Sequence, residues 1–410
     1  MPATRACDVS IACRYVRAGR SIRFVVYIKT RRYNIESILH FAFYRFVLKL
    51  CAQPSTNMSF KNHLALHPGS TKLPIRDSTA DHRHPTTLPL AKETKIKPTG
   101  VSGVDDASLY FVGTATTILE WEGIRIMTDP NFLHAGDHVH LGPGVTGTRM
   151  TNPAVDLEEL PRIDAVLLSH YHADHFDEKV ESSLRRDLPI VTTPHAKHHL
   201  HENKSDDEKF TEVYDLDFFE SCLVSIPPER GDAASNSETS KIPAIKITGM
   251  PGKHVPDGAL SVANDLLAAV PPTNGWMVEL GYKPDVSAPD SAFTNGYRIY
   301  ISGDTLMVDD LKEIPKRYAD QKIDLMLVHL GGTTIPSPRL PLLMVTMDAK
   351  QGVQLMQMIN PEVTIPIHYD DYDVFLSPLS DFKKAINDAG WQDRVVYLDR
   401  GDQYRFSVGT

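Results

Sequence analysis

The stretch SHYHADH, Ser169 to His175, places three histidines and an aspartate within seven residues, directly at the end of the apolar run IDAVLLS. A run of that length and character reads as a buried strand. The groups that follow are costly to bury unless they are paired or bound to a cation. The strand must therefore end at the rim of a sheet, where loops converge and sites are commonly built. Alternation along an extended segment would point His170 and His172 the same way. Imidazoles and a carboxylate are the donor set of zinc and related divalent ions. Two histidines with a third, distant ligand hold one ion, and Asp174 and His175 are placed to reach a second. Two ions a few ångströms apart can share a hydroxide and clamp both ends of a displacement. The competing reading is a polar surface loop with chance histidines, but HxHxDH after a buried strand is a specific pattern.

The same logic locates distant partners. Asp304 follows the strand-like YRIYIS in SGDT, His368 follows EVTIPI, and His254 lies in MPGKHVP shortly after IPAIKITGM. Each is a metal-type ligand just beyond a strand. Asp129, in MTDP, is expected either to orient a ligand histidine or to form a turn before Pro130. Among His134, His138 and His140, in NFLHAGDHVHLGPG, His140 is the best candidate to line a pocket. His329 ends DLMLVHL and either faces the site rim or packs in the core. His195, His198, His199 and His201 lie on or beside a short helix and read as solvated.

The chain has 410 residues, 41% hydrophobic and 23% charged, so it can bury a core without a structural metal. A metal site here is expected to serve chemistry. The formal net charge of −9 is uneven. Residues 1–57 carry ten Lys and Arg against Asp8 and Glu36, a balance of +8 that leaves −17 on the remainder. An acidic body is a poor match for a phosphate backbone, so no nucleic-acid partner is expected. The four cysteines form no CxxC and suggest neither a disulfide framework nor a thiolate zinc site.

No apolar run is long enough to span a bilayer. ESILHFAFYRFVLKLCA would form a helix aligning Leu39, Phe43, Phe46 and Leu50. This basic N-terminus has three readings: a transit peptide, a non-native extension upstream of Met58, or a membrane-surface helix. Membrane contact is not expected. A cytoplasmic location is expected, or a mitochondrial one if the segment is a genuine transit peptide. Residues 58–104, rich in Pro, Ser, Thr, His and Lys, read as a disordered linker, and 105–410 as the folded domain that carries the histidine cluster. That domain opens with three short β runs and then alternates strands with helices such as LMVDDLKEI, DAKQGVQLMQMI and LSDFKKAINDAG, before two short closing strands. The pattern fits a layered α/β domain.

SHYHADH, SGDT, GTATTILEWEGIRIMTDP and MDAKQGVQLMQMINPEVTIPIHY together resemble the metallo-β-lactamase fold superfamily over roughly residues 105–410. The branch most similar contains L-ascorbate-6-phosphate lactonase-like and N-acyl-phosphatidylethanolamine phospholipase D-like hydrolases. The resemblance implies a four-layer αββα sandwich with metals at one edge of the β core. It also implies roles. His170, His172 and His254 would hold the first ion, Asp174, His175 and His368 the second, and Asp304 would bridge them. Thr346 stands where the phospholipase D relatives carry a histidine, which weakens that reading. With Asp129, His140 and His329, Thr346 is counted among residues expected to face substrate or steady a ligand.

The expected function is a binuclear metal-dependent hydrolase with two divalent ions, zinc foremost and manganese second. A metal-bridging hydroxide would attack an ester, lactone, amide or phosphodiester of a small molecule, and Asp174 would act as the catalytic proton carrier. The alternatives are a phospholipase D-like hydrolase of N-acyl phospholipids and a non-catalytic metal-binding or scaffold protein.

Overall fold

The computed structural model describes residues 11–18, 21–28, 60–76, 85–98, 105–141, 145–227, 241–256, 264, 270–285, 287–337 and 340–409. The chain divides into two compact units, Met1–Asn57 and Met58–Thr410. In the first, Ile11–Ala18 pairs antiparallel with Ser21–Ile28. The amphipathic helix expected over residues 36–52 lies outside the described residues. No helix among the described residues is long and apolar enough to cross a membrane.

The second unit is built on two sheets. One runs, edge to edge, through Val213–Asp215, Ile190–Thr192, Ala165–Leu167, Ile124–Thr128, Thr116–Trp121, Ala107–Gly113, Gln403–Phe406 and Thr94–Lys95. The other runs through Val363–Ile367, Leu325–His329, Thr294–Ile301, Asn274–Lys283, Ile242–Pro251, Ser221–Ser225 and Asn62–Ala65. Strand alternation sends one set of side chains between the sheets and the other set outward. Leu109, Phe111, Ile126 and Leu167 meet Ile245, Val278, Leu325 and Leu327 in the central layer. Tyr110, Val112, Met127 and Val166 face out against Leu157, Val180, Leu184 and Leu200. Met277, Tyr300, Met326 and Val328 face out on the other side against Ile314, Leu355, Met356 and Phe382. Both faces of each sheet are thus covered, which gives the αββα sandwich.

Direction of the strands decides where function can sit. In the first sheet Ile124–Thr128, Ala165–Leu167 and Ile190–Thr192 run parallel. In the second, Thr294–Ile301, Leu325–His329 and Val363–Ile367 run parallel. Ile242–Pro251 shares the direction of Thr294–Ile301, because two antiparallel pairings separate them. Chemistry-bearing loops leave the carboxyl ends of these strands.

Local signals explain many of the joins. Glu122 and Gly123, both at positive φ (49° and 69°), make the two-residue turn between Thr116–Trp121 and Ile124–Thr128. Asp348 caps the helix Ala349–Ile359, and Gly390 in the left-handed region ends the helix Leu379–Ala389. Three expectations need correction. Residues 58–104, expected as a disordered linker, supply an edge strand to each sheet, paired through Asn62–Ala65 and Thr94–Lys95. Backbone ladder bonds offered by the neighbouring strands fix these short segments, which have no apolar period of their own. Of the two closing strands expected, Gln403–Phe406 forms, whereas Val395 makes one isolated bridge to Thr364. The helix expected over LMVDDLKEI is a 3₁₀ turn, Asp309–Lys312, followed by a short helix, Glu313–Arg317.

Candidate metal centre

The buried strand Ala165–Leu167 delivers Ser169, whose amide donates to Asp129 Oδ1 at 2.7 Å. The following residues turn at once rather than staying extended: His172 N donates to His170 O at 3.2 Å, and Phe176 N to His172 O at 2.8 Å. The turn closes on Asp177, which accepts from Val180 N at 2.8 Å to start the helix Glu178–Ser183 and from Phe132 N at 2.6 Å. The alternation expected to align His170 and His172 is therefore replaced by a turn, and their rings still lie 5.5 Å apart. In SGDT only glycine fits before Asp304: Gly303 has φ +59°, and a Cβ there would sit 2.3 Å from Asn274 O. The loops of His254 and Asp304 are bonded together, with Lys253 N donating to Thr305 Oγ1 at 2.9 Å and Leu306 N to Lys253 O at 2.8 Å.

These loops bring seven side chains into one cluster. His170 lies 4.7 Å from His254, ring centre to ring centre, and 4.3 Å from His175. His175 Nε2 lies 3.2 Å from Asp304 Oδ2 and 3.2 Å from His368 Nε2. His368 Nε2 lies 3.4 Å from Asp174 Oδ2 and 3.7 Å from Asp304 Oδ2. Four overlapping groups among the described residues offer donor atoms within 4.8 Å of one another: Asp174, His175, Asp304 and His368; His170, His254 and Asp304; His170, His172 and Asp174; and Asp129, His175 and His329. Asp304 is common to the first two.

The histidines are held by their other nitrogens. His254 Nδ1 lies 3.1 Å from Val345 O, and His368 Nδ1 lies 2.9 Å from Leu330 O. An N–H donated to each carbonyl leaves Nε2 as a lone pair aimed inward. His170 Nε2, His254 Nε2 and Asp304 Oδ1 are buried without a hydrogen-bond partner. Buried polar atoms are nearly always paired, so this donor set fits a divalent cation. Burial alone would raise the carboxyl pKa values. The surrounding imidazoles, His175 and His172 for Asp174 and His368 and His175 for Asp304, outweigh it and hold both well below the usual range. Burial, then His175 and His254, pushes His170 well below the usual imidazole value. Burial takes His254 down to about 4. Burial acts the same way on His175, but Asp304 and Asp174 overcome it and raise that group well above its ordinary value.

The surrounding residues divide. Asp129, buried with φ +36°, places Oδ2 3.4 Å from His175 Nδ1 and 3.6 Å from His329 Nε2. His329 is fully buried and stacks on His175 at 5.9 Å. Thr346 Oγ1 accepts from Thr333 N at 2.8 Å, one residue from the carbonyl that holds His254. His140 is exposed on the small hairpin His138–His140/Thr146–Thr148, where its Nδ1 lies 3.4 Å from Thr146 Oγ1. It joins no donor group among the described residues, because it sits on a solvated strand face. Sequence reasoning missed Arg149 and Asp371, a fully buried ion pair 3.1 Å apart, together with Asn131 and Tyr372 beside them. Charged residues in polar loops ordinarily read as solvated, and only the fold reveals these as buried.

Residues 125–369 match the family described as the beta-lactamase superfamily domain. A metal-dependent hydrolase of Archaeoglobus fulgidus is 24% identical over 269 residues, covering 66% of this chain and 92% of that protein. One from Polynucleobacter asymbioticus is 25% identical and covers 69% and 83%. Among solved structures, an isothiocyanate hydrolase from Delia radicum gut bacteria superposes with a TM-score of 0.54 at 19% identity, covering 73% of this chain and 99% of that one. A possible metal-dependent hydrolase from Veillonella parvula superposes with a TM-score of 0.53 at 17% identity, with the same coverage.

Proposed function

Because the chain belongs to the beta-lactamase superfamily and is a metal-dependent hydrolase, we propose that it acts on a small-molecule substrate with two divalent ions. His170, His172 and His254 would hold one, Asp174, His175 and His368 would hold the other, and Asp304 would be shared by both. The observation that carries this reading is the trio of buried, unpartnered donors at His170 Nε2, His254 Nε2 and Asp304 Oδ1. Imidazole and carboxylate donors favour zinc, with manganese as the alternative. Bound ions supply Lewis acidity and a water that ionises near pH ~7.

The chain's own residues orient and move protons around that chemistry. Asp174, ionised and packed between His172 and His368, takes the proton of the attacking water and passes it to the leaving group. Asp129 steers His175 through Nδ1, leaving Nε2 to face Asp304. The bond cleaved is an ester, lactone, amide or phosphodiester. The fold likeness to an isothiocyanate hydrolase adds isothiocyanates to the panel worth testing. A phospholipase D-like activity on N-acyl phospholipids is disfavoured, because Thr346, which accepts from Thr333 N, stands where those relatives carry a histidine.

Metal content and hydrolysis of lactones, phosphodiesters, N-acyl lipids and isothiocyanates test the reading, with Asp304→Ala as the decisive variant. The expected result is loss of bound metal and a fall in kcat/KM of about 100-fold or more, in line with removal of a transition-state-stabilising group. Full metal and full activity in Asp304→Ala would overturn it.

A further inference from the structure

We propose that the buried ion pair Arg149–Asp371 is a positioning device for His368 and Asp174, and so sets the occupancy of the second metal ion. The proposal rests on the two-ion reading above. Both side chains are completely buried, and two routes lead from them to the donors. On the first, Asp371 Oδ2 accepts from Thr114 N at 2.7 Å, and Thr114 O accepts from His368 N at 2.8 Å. Thr114 and His368 both lie in the left-handed region, at φ +51° and +61°. Such conformations cost non-glycine residues energy and persist only where the surroundings impose them. On the second, Arg149 donates to Asn131 Oδ1, and Asn131 Nδ2 donates to Tyr372 Oη at 2.8 Å and to Ala173 O at 3.2 Å. Ala173 is the neighbour of Asp174.

The remaining bonds keep the pair from turning. Arg149 donates to Thr114 Oγ1 at 2.5 Å and to Thr151 O at 3.0 Å. Arg400 lies 2.8 Å from Asp371 Oδ1, and Thr151 Oγ1 donates to the same carboxylate. Both routes end on donors of the second ion. His170 and His254 are anchored elsewhere, beside Ser169 Oγ and by Val345 O. A buried ion pair stabilises a fold little more than apolar groups of equal volume would. What it contributes here is direction, held by a rigid guanidinium fork.

The test uses the full chain, stripped of metal and titrated with Co²⁺, with ion stoichiometry and visible absorption as readouts. Two variants are compared: Asp371→Asn, and the double replacement Arg149→Met/Asp371→Leu, which leaves no unpaired buried charge. Both are expected to keep the far-ultraviolet circular dichroism of the parent and its first-ion affinity, while the second ion binds about tenfold or more weakly. Excess metal is expected to restore activity. An unchanged second-ion affinity in a folded variant overturns the proposal. Equal loss of both ions, or failure of both variants to fold, also overturns it, because the pair would then serve the fold as a whole. A parent chain that saturates at one ion overturns the two-ion reading itself, independently of either variant.

Discussion

At the level of single residues, the centre separates into imidazoles that resist protonation and imidazoles that attract it. His254 is pushed down to about 4, mainly by burial, and His170 is also held low. Burial also opposes charge on His175 and His368, but Asp304 and Asp174 prevail and raise both. A cation must displace protons from the raised pair and almost none from the lowered pair. Metal affinity should therefore climb with pH, more steeply at the second ion. On the two-ion reading, proton competition for His175 and His368 sets in already above the ordinary imidazole value of about 6.5, so as pH falls the ion beside Asp174, His175 and His368 should leave first and the ion beside His254 last. Metal content measured after dialysis at stepped pH checks this order, and simultaneous release would contradict it. Asp129→Asn removes the carboxylate that accepts from Ser169 N and faces His175 Nδ1. It should weaken metal binding by roughly 10–100-fold with little change in secondary structure.

Secondary-structure elements account for why so much of the centre was legible. His170, His254, Asp304 and His368 each follow the carboxyl end of a strand with a clear apolar run, and those runs are visible without coordinates. What the runs cannot announce is a turn inside SHYHADH, or a strand such as Thr94–Lys95 that exists only because Gln403–Phe406 offers it partners. Nor can they announce that Arg149 and Asp371 are dry, since burial of a charge depends on loops folded over it. The central strand Leu325–His329 places Leu325 and Leu327 between the sheets and Met326 and Val328 outside. Leu327→Ala opens a hole in the middle layer and should cost roughly 2–5 kcal/mol. Urea titration should show a lower midpoint with an unchanged slope.

For the whole molecule, the division at residue 57 makes a truncation prediction. A chain beginning at Met58 should keep the metal content and thermal midpoint of the parent. One beginning at Asp105 loses the edge strands Asn62–Ala65 and Thr94–Lys95 and should unfold at lower temperature, as calorimetry would reveal. The proposed ligands also come from two different sheets: His170, His172, Asp174 and His175 from the rim of one, His254, Asp304 and His368 from the rim of the other. A filled centre is therefore a clasp across the seam of the sandwich. Chelation should unfasten that seam at one end only, with faster amide exchange near Ser169 and Leu330. Exchange at the far end, where Tyr297 stacks on Phe406 at 4.2 Å, should stay as slow as before.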